Sequence, residues 1–288
     1  LDGLSRVDKL IARTAELGQA MAQLEITYES LKTSYSSTVK VFAGLTEIRE
    51  GSLSGHSRRA ADKARLLAEK LGLSEFDKEN IVHAALLHDI GKIGLPDSLI
   101  NVPFNALSKE DRIRVSKHPV IAQAILIALE PLQEAATLIR NLHERYDGLG
   151  YPDGLQAEKI PLGARILAVV NDYDNLVRGA LLVDRLSPAE AAAFLQENRG
   201  RRYDPRVVEA FIAVLTASNA DELARVEVPV KSAGLRSGMV LARDLLAKGN
   251  ILILTRDCVL DDGTISKLQK FETTMNADFT VYVYADRR

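Results

Sequence analysis

The chain has 288 residues, long enough for one large domain and a smaller one that each bury a core. With 37 basic and 39 acidic residues it is close to neutral, which excludes the electrostatic footprint of a protein that binds a nucleic-acid polymer or an anionic membrane, so any nucleotide ligand needs a local site. A single cysteine, Cys258, excludes an internal disulfide framework and fits a cytoplasmic location, and no run is apolar for long enough to span a membrane. The first residue is Leu1 rather than Met, so an upstream segment is expected.

Residues 7–45 repeat in heptads, with Val7, Thr14, Met21, Tyr28, Tyr35 and Phe42 at one position and Leu10, Leu17, Leu24, Leu31, Thr38 and Leu45 at the other. That spacing predicts a coiled-coil seam, read as a parallel homodimer stalk carrying a signal from an upstream domain; a long helix packed on its own domain is the alternative. Thr14, Tyr28, Tyr35 and Thr38 weaken the seam, which suits a helix that moves. From 55 to 215 the chain reads as helices with short connections. Ser74, Ser108 and Ser187 are placed as helix caps, with Asp77 and Asp111 standing where Glu or Gln is usual in a capping box, and Pro188 at a first helical position. Apolar runs at 81–87, 120–129 and 166–170 predict buried helices. After about residue 224 strand formers take over at 226–230, 251–254 and 279–284, with Gly238, Gly249-Asn250 and Asp262-Gly263 as turn signals and 264–273 as one helix. The expected architecture is mainly α: a coiled-coil linker helix over 1–50, a helical bundle over 51–220 and a small α+β appendage over 225–288.

Histidines gather at the predicted helix ends. His56 opens a helix, His88-Asp89 closes one, His118-Pro119 opens another, and His143-Glu144 ends a fourth ahead of a glycine-rich turn. Imidazole and carboxylate together offer first-row divalent metals mixed nitrogen and oxygen ligands, and a carboxylate can bridge two ions. A lone histidine reads as an ordinary hydrogen-bonded residue; the group with Asp89 reverses that preference. His83 lies five residues before His88, about 140° around the helix from it, and reads as structural.

His88-Asp89-Ile90-Gly91-Lys92, then His118-Pro119, then His143-Glu144-Arg145-Tyr146-Asp147-Gly148-Leu149-Gly150-Tyr151-Pro152 and Ile160-Pro161-Leu162-Gly163-Ala164-Arg165 resemble the HD-GYP subgroup of HD-domain phosphohydrolases. The resemblance spans roughly 39–215, and Asp147-Gly148-Leu149-Gly150-Tyr151-Pro152 separates the subgroup from other HD proteins. It implies a helical HD-domain fold, divalent metals, usually iron or manganese, and hydrolysis of the bacterial second messenger cyclic di-GMP. Carried over by position, His56, His88, Asp89, His118, His143 and the position of Asn171 match metal ligands, with Asp89 as the bridging carboxylate. Lys92 matches a lysine that contacts the scissile phosphate or protonates the leaving oxygen. Tyr151 matches the mouth of the site, where it meets guanine or a partner or simply closes the loop. The 235–244 segment is similar to one that accompanies such domains in response regulators, which implies an upstream receiver or sensor domain.

The pattern departs from the family at four places. Ser52 stands where a carboxylate is common, so a third metal is not expected, and Leu142 replaces a second histidine next to His143. Asn171 replaces an aspartate ligand, offering an amide dipole in place of a full charge, with Asp172 as a substitute only after a local shift. The stretch 177–183 keeps Arg178 as its one cation where the family carries several for phosphate. Two readings follow. One is a cyclic di-GMP phosphodiesterase with one or two metals per chain, with another phosphoester as a variant substrate; the other is a non-catalytic signalling or protein-interaction module of a two-component-type regulator.

Overall fold

A computed structural model describes residues 2–49, 55–100, 102–182, 184–223, 227–247, 251–254, 258–275 and 278–285. The first helix, α1 (Asp2–Arg49), is continuous over 48 residues. Among its described side chains only Val39, Ala43 and Thr46 are buried, a stripe at helical spacing that packs on the bundle with Tyr35 beside it. The heptad residues Leu17, Leu24, Leu31 and Leu45 are 57–70% exposed, and of the seam's described apolar side chains only Tyr35 packs on the core of the chain's own bundle. Val7 and Leu10 lie where side chains are not described.

The bundle comprises α2 (His56–Lys70), α3 (Glu75–Leu87), the single-turn α4 (Asp97–Ile100), α5 (Lys109–Val115), α6 (His118–Leu126), α7 (Gln133–Arg140), α8 (Leu162–Arg178), α9 (Pro188–Glu197) and α10 (Pro205–Leu223). Ala60, Ala61, Ala64 and Ala68 give α2 a small-residue face, and it packs against α3, α8 and α10 around Leu67, Ile166, Val170 and Phe211. The three serine caps fall where the sequence places them. Ser74 and Ser108 accept N–H bonds from Asp77 and Asp111, but those aspartates turn to the serine hydroxyls, and only Ser187 with Glu190 closes a full capping box. The shorter aspartate bonds the cap instead of reaching back to its backbone N–H.

Beyond the bundle, β1 (Glu227–Lys231) pairs antiparallel with β4 (Thr280–Tyr284), and β2 (Leu245–Ala247) pairs with β3 (Ile251–Leu254). With α11 (Asp262–Thr274) they enclose a second apolar cluster that includes Leu241, Leu268, Val281 and Val283. The sequence does not predict β2, since three residues are too few to carry an alternation signal. The expected Gly249-Asn250 turn lies outside the described residues.

Candidate metal centre

His56 is the first residue of α2, His88 is the C-cap of α3, and His118 is the first residue of α6, so three helix ends deliver three buried imidazoles. Asp89 follows His88 into a 3₁₀ turn (Ile90–Gly94) that lies against α6. Gly91 makes that approach possible, because a Cβ there would sit 2.0 Å from the His118 carbonyl oxygen. His143 does not end a helix as expected; α7 stops at Arg140, and His143 lies in the turn beyond it.

The hydrogen bonds fix the tautomers. His88 Nδ1 is 2.8 Å from the Ala85 carbonyl, His118 Nδ1 is 2.7 Å from the Val115 carbonyl, and His56 Nδ1 is 2.6 Å from Asp174 Oδ2. These oxygens only accept, so each Nδ1 carries a proton and it is Nε2 that presents a lone pair whenever the ring is neutral. What those lone pairs face is unusual. His56 Nε2 lies 3.2 Å from Asn171 Oδ1, whose orientation is set by the Asn175 amide donating to it at 3.2 Å. His88 Nε2 lies 3.1 Å from Asp89 Oδ2, and His118 Nε2 lies 3.2 Å from His143 Nε2.

Acceptor set against acceptor at this distance needs a proton or a cation between them, and about 3 Å is the separation of neighbouring ligands on one divalent ion with bonds of about 2.1 Å. His56, His88 and Asp89 offer ligand atoms all within 4.8 Å of one another and could hold a metal; the donor set fits one. His118 and His143 set two ring nitrogens against each other nearby, and the adjacent Leu142, 2% exposed, has no group that can ligate.

Burial lowers His56 against the pull of Asp174, lowers His118 to about 4 with help from the Lys92 charge, and holds His143 well below its ordinary value. For His88 burial acts in the same direction, but the Asp89 charge and hydrogen bond outweigh it and raise the ring. Asp89 is itself buried, yet His88 and Lys92 keep its carboxyl well below the usual range. Lys92 Nζ is 2.9 Å from Asp89 Oδ1.

A cleft of about 520 Å³ opens beside these groups, and Lys92, Tyr151, Asn171 and Arg178 line it. The glycine-rich turn holds Tyr151 in place. Glu144 accepts the N–H groups of Asp153 and Leu155, Tyr151 N–H donates to the His143 carbonyl, and Gly150 leaves room where a Cβ would meet Arg145 N at 2.3 Å. The Tyr151 ring then stacks on His143 at 5.0 Å and on Phe104 at 5.9 Å. Ser52 and Val183 lie outside the described residues.

Sequence reasoning missed two groups. Asp174 joins His56 at 2.6 Å and takes two bonds from Arg59, a carboxylate orienting a histidine from behind. Its position three residues after Asn171, hence on the same face of α8, was the available signal. Asp172 does not substitute for Asn171. It points to Arg202, with Nε at 2.8 Å and Nη2 at 2.7 Å, and to the Tyr203 hydroxyl at 2.8 Å. Arg202 thereby joins the cleft from 30 residues along the chain, which no local pattern announces.

The family description that matches the chain, over residues 40–207, is that of the HD domain. The chain belongs to the HD domain family. Its relatives place this HD domain among those of HD-GYP type. It is 40% identical over 177 residues to the cyclic di-GMP phosphodiesterase response regulator RpfG of Xanthomonas campestris, covering 61% of this chain and 47% of that one. It is 31% identical over 224 residues to 3′3′-cGAMP-specific phosphodiesterase 3 of Vibrio cholerae, covering 76% and 46%. The structure of Bd1817, an HD-GYP-type protein of Bdellovibrio bacteriovorus, shares the fold with a TM-score of 0.50 at 24% identity, covering 57% of this chain and 53% of that one. The chain spans about half the length of the curated relatives it matches. Among the described residues, no helix of the HD domain or its flanks is long and apolar enough to cross a membrane.

Proposed function

We propose that the chain is the phosphodiesterase portion of a cytoplasmic signalling protein and hydrolyses cyclic di-GMP through a reduced metal centre. The observation that carries this is the set of Nε2 lone pairs, each tautomer-locked from behind and each facing another acceptor beside Asp89 and an open cleft. His56, His88, Asp89 and Asn171 would hold one ion, iron or manganese; His118 and His143 would supply a weaker second half-site with Asp89 between the two. A divalent cation held there would acidify a water and neutralise charge on the phosphate. Lys92 directs its ammonium at the same region, placed to meet a phosphate oxygen or give a proton to the leaving oxygen. Tyr151 supports His143 by stacking, and Arg178 adds positive charge at the cleft wall.

The three-part division at 1–50, 51–220 and 225–288, with a dimer stalk and an upstream receiver or sensor, belongs to the same reading. Metal analysis of the purified protein, paired with cyclic di-GMP turnover in added manganese or iron(II), tests it. About one ion per chain and measurable turnover are expected. Protein that stays metal-free and inert after reconstitution would instead be a non-catalytic module. Asn171→Asp restores the full ligand charge and is expected to tighten metal binding roughly tenfold, an effect of about 1.4 kcal/mol. Unchanged affinity would mean that Asn171 is no ligand.

A further inference from the structure

Four cationic side chains line the cleft, and their commitments differ. Lys92 is paired with Asp89, inside the metal centre. Arg145 is locked onto both oxygens of Asp147 within the glycine-rich turn, through Nε and Nη2. Arg178 lies in the last turn of α8, bordering the stretch where the sequence has lost its other basic residues. Arg202 is different. Its Nε and Nη2 both meet the single oxygen Oδ2 of Asp172, which also accepts the Tyr203 hydroxyl, while Nη1 has no hydrogen-bonding partner among the described residues.

Its side chain is 29% exposed and that of Asp172 7%. Arg202 lines the same cleft as Leu142, His143 and Tyr151. Removing an aspartate and an arginine from water is costly, and a buried pair of this kind contributes little net stability. A pinned guanidinium with an uncommitted edge is, however, preorganised to bind an oxyanion: one side fixes the plane and the other presents donors.

We infer that Arg202, held in plane by Asp172 and Tyr203, is the guanidinium that receives a non-bridging phosphate oxygen of the substrate, in place of the basic residues absent from 177–183. Asp172 and Tyr203 are then positioning residues for Arg202. The inference deepens the phosphodiesterase reading by assigning its phosphate contact, and it rests on that reading for the identity of the ester.

The test uses the full chain with its metal content measured, and reads binding of cyclic di-GMP and, separately, of orthophosphate by calorimetry. Arg202→Ala is expected to weaken both by about 10- to 100-fold, the range for a lost charged hydrogen bond, with metal occupancy unchanged. Arg202→Lys should recover only part of that loss, because an ammonium offers no planar fork. Wild-type affinity in Arg202→Ala at full metal occupancy would overturn the inference and leave Arg202 a structural clamp for Asp172. If Arg202→Ala alone fails to fold, the double variant Asp172→Asn with Arg202→Gln removes both charges but keeps donors and acceptors, and the same loss of affinity is expected of it. Wild-type protein that binds orthophosphate but not cyclic di-GMP would overturn the substrate reading, and the orthophosphate arm would still decide on Arg202. Protein that binds neither would overturn both.

Discussion

His118 shows how a buried imidazole contributes to the acid response of the metal-free protein. Burial and the Lys92 charge lower it from 6.5 to about 4, so the folded state holds it neutral where the unfolded chain would protonate it. Below about 6.5 the unfolded state therefore binds more protons, and stability falls with pH until the folded group titrates near 4. The expected slope from this group is up to roughly 1.4 kcal/mol per pH unit across that window. Thermal unfolding in chelator between pH 7 and 4.5 would reveal it, and His118→Gln should flatten the dependence; an unchanged slope would show that His118 is not the group responsible. Asp174 acts in the same sense but in a more acidic window. Burial would raise its carboxyl, but the bonds from His56 and Arg59 keep it far below the ordinary range, so its contribution is present above about pH 4 and is lost only in strong acid. Asp174→Asn weakens the acceptor behind His56, and metal affinity is expected to drop about 10- to 100-fold in a metal-binding titration, as for other partners that orient a ligating histidine. Equal affinity would mean that the His56 ring needs no such support.

At the scale of elements, the start of α2 depends on α1. Its N-cap is Gly55 in the left-handed region, which has no side chain to satisfy the first N–H groups, and the Ser57 N–H is instead capped at 2.8 Å by Glu47 from α1. Two residues further along α1, Arg49 bonds the Leu95 carbonyl at 2.8 Å and Asp97 at 3.1 Å, just past the 3₁₀ turn that carries Lys92. One helix end thus touches the segments of His56 and of Lys92 together. Glu47→Ala should cost about 1 kcal/mol in unfolding free energy and loosen metal binding, while Glu47→Gln, which still accepts, should do much less. If both variants bind metal like the wild type, the cap does not position His56. Much of this scale was legible beforehand. The three serine caps, the helical 55–215 stretch and the placing of His56, His88 and His118, though not His143, at helix ends come from local spacing, and the HD-GYP motif marks which histidines belong together. The α1 cap, the Asp172–Arg202 pair and the β2 strand do not, because the first two join residues 10 and 30 apart in sequence through the tertiary fold and the third is too short to have a period.

For the whole molecule, the decisive feature is that α1 uses two faces. Val39, Ala43 and Thr46 fasten its last turns to the bundle, whereas Leu17, Met21, Leu24, Tyr28 and Leu31 face solvent along turns that make no burial with their own chain. A heptad row of apolar residues in water favours a covering partner, and in the proposed parallel homodimer an identical helix would cover it with knobs-into-holes packing. Thr14 and Thr38 are exposed within the same row, so the pairing should be modest in strength and able to slide or rotate under load. If two copies pair in this way, a second copy's Glu47 and Arg49 would lie at the same end of the stalk, and motion between the two helices would reach the segments of His56 and Lys92 in both copies through the contacts that cap α2. Light scattering of the full chain at micromolar concentration should give twice the chain mass of 31.6 kDa. Leu24→Glu with Leu31→Glu places like charges in the seam and should return the mass to 31.6 kDa without altering metal content, since neither residue approaches the bundle. A wild-type monomer, or a dimer indifferent to both glutamates, would remove the stalk from the description and leave α1 a helix packed on its own domain.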